Sequence, residues 1–240
     1  SGKTYTMTAM EELLAADVFM FDPTPIINTA ITGRKNVTVQ VCVQYLELCG
    51  KLCRDLLDDS RPEVRIVDNN DEDGSVCFVN AASVVVETAE KLVRVMAEAK
   101  QRRATQATEK NDESSRSHAV CQMTIYANFV EESQSPTARQ RGVLTLVDCA
   151  GTERRNDSMY HSRSRQAESN EINASLYALK ECIRARSSSN SSRYVPYRSN
   201  ILTRVLRESL ERRDARLAVI ATVAPNATDT EHTIQTLKTV

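Results

Sequence analysis

Residues 1–10 of the chain read SGKTYTMTAM. The first four match the closing half of a phosphate-binding loop of the pattern GxxxxGK[ST], and helix-forming residues follow them. In such a loop, backbone N–H groups and the positive end of the next helix bind phosphates. Lys3 would neutralise the outer phosphates and the Thr4 hydroxyl would bind magnesium. The tetrapeptide alone is weak evidence, because the opening glycine of the pattern would lie upstream of Ser1.

A second segment, VLTLVDCAG at 143–151, is a continuous apolar run that predicts a buried strand ending in an acid. Asp148 would hold the magnesium shell, and Gly151 would let a backbone N–H approach a terminal phosphate. Many buried strands end in Asp by chance. The strand, the acid and the glycine together, downstream of a GKT sequence, are far more specific.

A third segment, NDESSRSH at 111–118, places several hydroxyls beside Arg116. Serine hydroxyls can coordinate magnesium and position a water, and the arginine can pair with a carboxylate such as Glu153 when the site closes. Taken singly, this segment is better explained as an N-cap or a Ser-rich turn.

Four motifs follow one another in an order and at distances that resemble the kinesin motor domain: NxxSSRSH, DxAGxE, NxSLxALxxCI and VPYRxxxLTRxLxxSL. The resemblance covers residues 1–240 and implies one motor domain with a three-layer α/β P-loop NTPase fold. Its central sheet would be mainly parallel or mixed and flanked by helices. The domain would begin inside the P-loop, with its N-terminal strands upstream, and end before the neck.

The resemblance implies an ATPase stimulated by microtubules, with ATP or ADP and Mg2+ as cofactors. Arg116 and Glu153 would form a salt bridge that closes around the γ-phosphate and helps to organise the water for in-line attack. The implied nucleotide-binding residues are Ser1, Gly2, Lys3, Thr4 and Ser117. The implied magnesium ligands, partly through water, are Thr4, Ser117 and Asp148. The implied catalytic residues are Ser114, Ser115, Arg116, Gly151 and Glu153.

Positive charge is concentrated late in the chain. Residues 184–213 hold eight Arg and two Glu, a net +6, although the whole chain has a formal net charge of -1. Such a segment points to an acidic partner, and the alternative is one solvated face of a dipolar domain. The resemblance implies tubulin, with the helix near 171–184 moving against the microtubule. The expected contacts are Lys180, Arg184, Arg193, Tyr197, Arg198 and Arg204.

Two shorter matches, ALKECIRA at 178–185 and AADVF at 15–19, resemble the internal-motor kinesins, which depolymerise microtubule ends. The alternative is a microtubule-binding anchor that has lost hydrolysis. A P-loop GTPase is disfavoured, because no NKxD-like guanine motif follows the second switch. The expected location is the cytoplasm and its microtubules, with spindle or flagellum both open, and neither nucleic acid nor membrane is an expected partner.

The composition fits a globular protein, with 26% charged residues, seven cysteines without a CxxC pair, and no apolar run long enough to cross a bilayer. Alternating β-branched residues predict strands at 36–48 and 117–130, and a polar turn within 64–80 predicts two short strands. We also expect a buried strand at 216–225. The predicted helices lie at about 89–103, 171–185, 199–210 with Ser199 as cap, and 230–240.

Overall fold

The computed structural model describes residues 2–20, 36–69, 75–110, 116–130, 140–151, 163–187, 194–223 and 230–237. Its helices are α1 (Lys3–Met20), α2 (Ala89–Lys110), α3 (Arg163–Ser187), α4 (Ile201–Val205), α5 (Arg207–Glu211) and α6 (Thr230–Leu237). A 3₁₀ turn at Tyr197–Ser199 precedes α4. Its strands are β1 (Asn36–Cys49), β2 (Leu52–Asp55), β3 (Arg65–Asp68), β4 (Val76–Val79), β5 (Val84–Val86), β6 (His118–Val130) and β7 (Gln140–Asp148).

The central sheet has the strand order β2-β1-β6-β7, and β5 also pairs with β1. Strands β3 and β4 form a separate antiparallel hairpin, as the polar turn within 64–80 predicted. The expectation of a mainly parallel or mixed sheet is not met among the described strands, whose ladders are all antiparallel. Short connections account for this direction in the β1–β2 and β3–β4 pairs, since a parallel pair needs a crossover of about a dozen residues or more. Strands β1 and β6 are separated by four strands and α2, so chain length alone does not set their direction.

Alternation along β1 divides the core into two layers. Val43 and Tyr45 point to one face of the sheet, where they pack with residues of α1, α2 and β6 in what we call the first core layer. Leu46 and Leu48 point to the other face, where they pack with Cys182 of α3 and with residues of α4 and α5 in the second core layer. The sheet therefore lies between two helical layers, which confirms the predicted three-layer α/β architecture.

Helix α2 forms where predicted and continues beyond Arg103 to Lys110. The Thr88 hydroxyl accepts a hydrogen bond of 3.2 Å from the Lys91 N–H, which satisfies one N–H of the first turn. The extension has the sequence ATQATEK, which contains neither Gly nor Pro and several good helix formers.

The predicted helix at 199–210 is divided into the 3₁₀ turn, α4 and α5. Ser199 is not its cap, because the Ser199 hydroxyl donates to the Pro196 carbonyl at 2.7 Å. Asn200 takes that role, with its side-chain oxygen accepting from the Leu202 N–H at 2.9 Å. A short polar side chain is suited to this position whichever of the two residues provides it.

The strand expected at 216–225 is wrong for its described part, 216–223, which has no regular secondary structure. Leu217 and Ile220 are 38% and 55% exposed. No described strand pairs with this segment. β-branched residues favour a strand only when a neighbouring strand accepts their backbone hydrogen bonds.

Gly50, in the turn between β1 and β2, lies against α3. Its φ is +59°, in the left-handed region, and the Glu171 side chain lies where a Cβ would point. A residue with a side chain would be strained in this conformation, so the turn needs glycine. Among the described helices, none has the length and apolar character that crossing a bilayer requires.

The two-layer core makes a prediction about matched leucines on two helices. Leu92 of α2 is 0% exposed, whereas Leu13 of α1 is 68% exposed. We expect Leu92→Ala to lower the free energy of unfolding by about 3 kcal/mol, because it leaves a cavity in the first core layer. Leu13→Ala should change it by about 0.5 kcal/mol or less. Denaturant titration measures both values, and equal losses would contradict the assigned packing.

Candidate functional site

The first turn of α1 is suited to bind an anion. Gly2 has a φ of +77°, and its carbonyl accepts a hydrogen bond of 3.0 Å from the Thr6 N–H. The turn contains no acidic residue, so the positive end of the helix dipole and its N–H groups are not neutralised by a carboxylate of that turn. Lys3, half-buried at the start of the helix, adds a positive charge.

Asp148 ends β7 beside this turn. The Thr4 hydroxyl donates to Asp148 Oδ2 at 3.1 Å, although the two residues are 144 positions apart in sequence. The Asp148 side chain is 7% exposed. The structure therefore brings together the loop residue and the strand-end acid that the sequence predicted as magnesium ligands.

Arg103 of α2 is a site residue that the sequence motifs did not indicate. Its Nη1 donates to Asp148 Oδ2 at 2.9 Å, and its Nη2 donates to the Ser117 carbonyl at 2.6 Å. Its Nε lies 3.3 Å from Ser117 Oγ. The planar guanidinium fork thereby joins the end of β7 to the residue just before β6.

Ser117 lies behind Asp148 in a buried network. Its hydroxyl donates to Glu47 Oε1 at 2.8 Å, and Arg61 pairs with the other Glu47 oxygen. Ser117 is 2% exposed. This contact uses the hydroxyl proton and leaves oxygen lone pairs, so the role of Ser117 as a magnesium ligand stays a prediction.

His118 links the site to α3. Its Nδ1 accepts from the Ala150 N–H at 3.1 Å, and its Nε2 lies 2.7 Å from Ser175 Oγ. The Ser175 hydroxyl also donates to the Ile172 carbonyl at 2.7 Å. These three contacts fit a neutral ring protonated at Nε2. Burial and the charge of Arg103 lower the pKa of His118 to about 4, against the opposing effect of Asp148.

Residues near the predicted second switch lie close to the phosphate loop. Burial and the charge of Asp148 raise the pKa of the Cys149 thiol to about 11, and the charge of Lys3 opposes this shift. Arg116 and Gly151 are half-buried. Five predicted site residues lie outside the described residues: Ser1, Ser114, Ser115, Glu153 and Arg193. The predicted salt bridge between Arg116 and Glu153 therefore stays a prediction.

A second buried polar cluster fixes the direction of α1. Lys100 of α2 donates to Thr8 Oγ1 at 3.1 Å and pairs with Glu11, which is 2% exposed. The Tyr45 hydroxyl donates to Glu11 Oε1 at 3.2 Å. Burial raises the pKa of Glu11, and the Lys100 ammonium counteracts this. These contacts tie the phosphate-loop helix to the next helix and to the central strand.

The predicted partner-binding residues divide into exposed and buried ones. Arg198 and Arg204 have side chains 63% and 37% exposed, and Arg184 is 58% exposed and pairs with Glu181 at 2.8 Å. Lys180 is half-buried on α3.

Tyr197 is only 4% exposed, so the expectation of a surface contact is wrong for this residue. Its ring packs in the second core layer instead.

The profile of the family described as "Kinesin motor domain" matches residues 1–239. Diatom spindle kinesin-1 of Cylindrotheca fusiformis is 35% identical over 238 residues, which are 99% of this chain and 34% of that protein. Kinesin-like protein KIN-13A of Oryza sativa subsp. japonica is 32% identical over 248 residues, covering 99% of this chain and 29% of that protein. The chain thus spans about a third of the length of these curated relatives.

Solved structures agree with these sequence matches. A structure of a fast kinesin superposes with a TM-score of 0.75 at 28% identity, covering 95% of this chain and 60% of that chain. A kinesin 6 structure superposes with a TM-score of 0.71 at 28% identity, covering 90% of this chain and 61% of that chain.

The environment of His118 predicts how its ring titrates. Its pKa is about 4 in the folded protein and about 6.5 in an unfolded chain, so the unfolded state binds the proton first as the pH falls. Its contribution to stability is complete above pH ~6.5, and should fall by about 1.4 kcal/mol per pH unit towards pH ~4.

Two measurements check this. NMR of the His118 ring should show no titration between pH 8 and pH 5, and His118→Gln should lose the corresponding part of the slope in stability against pH. A ring that titrates near its ordinary pKa would contradict the buried, neutral assignment.

Proposed function

Because this chain belongs to the kinesin motor domain family, we propose that it is the part of a microtubule motor protein that binds and hydrolyses ATP. The observation that carries the proposal is the 3.1 Å hydrogen bond between the Thr4 hydroxyl and Asp148. It joins the phosphate-loop motif at the start of α1 to the acidic end of β7, and the two motifs would serve one site.

The residues present fit a magnesium nucleotide. The Thr4 hydroxyl and the Asp148 carboxylate are oxygen ligands of the kind that Mg2+ prefers, and would hold the ion directly or through water. Lys3 and the N–H groups of the first turn of α1 would bind the phosphates. Bound magnesium and ATP would supply a polarised terminal phosphoryl group for attack by water.

The two switch segments approach each other because β6 starts beside the end of β7. Ala119 is directly opposite Asp148 in the antiparallel ladder. Arg116, two residues before the start of β6, is therefore near the end of β7 that leads to Gly151. We propose that Arg116 and Glu153 form a salt bridge when ATP is bound, with Ser114 and Ser115 in the same closing segment and the Gly151 N–H towards the terminal phosphate.

The buried contacts of His118 support coupling from this site to the partner surface. A displacement of the backbone at Ala150 would act on the His118 ring and, through the Ser175 hydroxyl, on α3. The same helix carries Lys180, which is half-buried, and Arg184, which is exposed. We propose that α3 transmits the nucleotide state to an acidic tubulin surface.

The subclass is also a proposal. The segment ALKECIRA lies on α3 and AADVF lies on α1, and both resemble internal-motor kinesins. We therefore propose depolymerisation of microtubule ends in place of walking. Stabilised microtubules incubated with the full-length protein and ATP should shorten from their ends, and filaments that glide without shortening would contradict this.

The proposed location is the microtubule cytoskeleton, in the spindle or flagellum.

The closing salt bridge predicts the behaviour of a double-mutant cycle. Arg116→Ala and Glu153→Ala should each lower the microtubule-stimulated turnover by about 100-fold or more, because the site can no longer organise the attacking water. The double variant should be little worse than either single variant, since both remove the same interaction. Affinity for a fluorescent ATP analogue should stay near the wild-type value.

Glu90→Ala, on the exposed first turn of α2, is the matched control and should leave turnover unchanged. Losses that multiply in the double variant would contradict the pairing. Phosphate release that microtubules do not stimulate in the wild-type protein would favour the alternative, an anchor without hydrolysis.

A further inference from the structure

The β3–β4 hairpin places an acid between two of the basic residues assigned to the partner surface. Asp68 ends β3, and its Oδ1 accepts from Arg204 Nε at 3.0 Å. Its Oδ2 lies 3.4 Å from Arg198 Nε. Each carboxylate oxygen thus faces a different guanidinium, and the hairpin reaches across to the 3₁₀ turn and α4.

The Asp68 carboxylate is ionised in this setting. Its side chain is 19% exposed. Burial opposes ionisation, but the hydrogen bond from Arg204 and the charges of Arg204, Arg198 and Arg207 outweigh it and lower the pKa of Asp68. The Asp68 carboxylate therefore lies within hydrogen-bond range of two guanidiniums. It weakens the positive electrostatic potential that an acidic partner would meet at this surface.

Asp68 is not what holds the hairpin in place. Phe78 of β4 is 6% exposed and belongs to the second core layer, and Ile66 and Val76 pack against that layer. Asn69 closes the hairpin by donating its backbone N–H to the Ser75 carbonyl at 3.1 Å. Replacing Asp68 with a neutral residue should therefore remove the negative charge that faces Arg198 and Arg204, while the hairpin stays packed in place.

Of the two arginines that face Asp68, Arg198 would also keep much of its orientation. Arg198 and Arg207 both lie over the ring of Tyr197, at 5.4 Å and 4.8 Å from guanidinium carbon to ring centroid. Cation–π contacts of this kind hold a guanidinium without neutralising it. Tyr197 itself is fixed, because its carbonyl accepts from the Thr203 hydroxyl at 2.7 Å.

We propose that Asp68 is an internal competitor of the acidic partner, and that its carboxylate lowers the affinity of the Arg198 and Arg204 surface for the microtubule. This inference rests on the proposed function, which supplies the acidic polymer as partner. A tubulin carboxylate at this surface must displace Asp68 from the two guanidiniums or share them with it. The hairpin would thus hold the affinity of the motor below what its arginines allow.

The test measures binding of the full-length protein to stabilised microtubules by co-sedimentation over a range of salt concentrations. Asp68→Asn should raise the affinity about three- to fivefold and steepen its fall with salt, because a partly exposed charge pair has been released. Arg198→Ala with Arg204→Ala should lower the affinity and flatten the salt dependence. Adding Asp68→Asn to that double variant should raise the affinity by clearly less than it does in the wild-type background, because the guanidiniums that Asp68 faces are gone.

Asp59→Asn is the matched control, since Asp59 also pairs with an arginine, Arg102, at 2.5 Å on another part of the surface. It should leave the affinity unchanged. Thermal unfolding of each variant checks that the fold is kept, and Asp68→Ser serves as a second neutral replacement should Asp68→Asn melt early.

Two failures can be told apart. If the wild-type protein binds microtubules and neither neutral variant binds more tightly, Asp68 is no competitor. An equal rise in affinity from Asp68→Asn in the variant that lacks the two arginines would also overturn the proposal. If the wild-type protein does not bind microtubules at all, the proposed function fails and the inference fails with it.

Discussion

A buried carboxylate with two partners holds the candidate site together. Asp148 accepts hydrogen bonds from Thr4 at 3.1 Å and from Arg103 at 2.9 Å, in a place where its side chain is 7% exposed. Removing one member of a buried ion pair typically costs about 3 to 5 kcal/mol, because the other charge is left uncompensated. The relative positions of α1, α2 and β7 therefore depend on this acid keeping its partners.

From Asp148 the contacts run in two directions. Through Arg103 and Ser117 they reach Glu47 on the central strand β1. Through the adjacent backbone they reach His118 and then Ser175 on α3. Buried hydrogen bonds of this kind have few alternative arrangements, since breaking one leaves an unsatisfied polar group. A shift at the end of β7 would thus reach α3, the helix that carries Lys180 and Arg184.

Much of the architecture follows from local sequence. Side chains alternate between the two faces of β1, so Val43 and Leu46 belong to different core layers. This alternation can be predicted before any tertiary contact is known. The meeting of Thr4 with Asp148 followed from motif resemblance, because spacing in sequence does not tell that residues 144 positions apart share a site. The strand expected at 216–225 failed since β propensity needs a paired neighbour.

The charged residues inside the protein were the hardest to foresee. Glu47 occupies the same strand face as Val43 and Tyr45, and an acid at such a position signals a buried partner without identifying it. Arg103 sits at the point where the predicted helix was expected to end, which hid its role. Tyr197 was assigned to the partner surface by the motif resemblance. A tyrosine is compatible with either location, and only packing decides.

The hydroxyl of Ser175 offers the most direct test of the proposed coupling between the candidate site and α3. In the full-length protein, phosphate release would be measured with and without microtubules for the wild type, for Ser175→Ala, and for Ser187→Ala at the exposed end of α3. We expect Ser175→Ala to keep nucleotide affinity and basal release while microtubule stimulation falls about tenfold, the effect of losing roughly 1.4 kcal/mol of coupling. Full stimulation in Ser175→Ala would contradict transmission through His118.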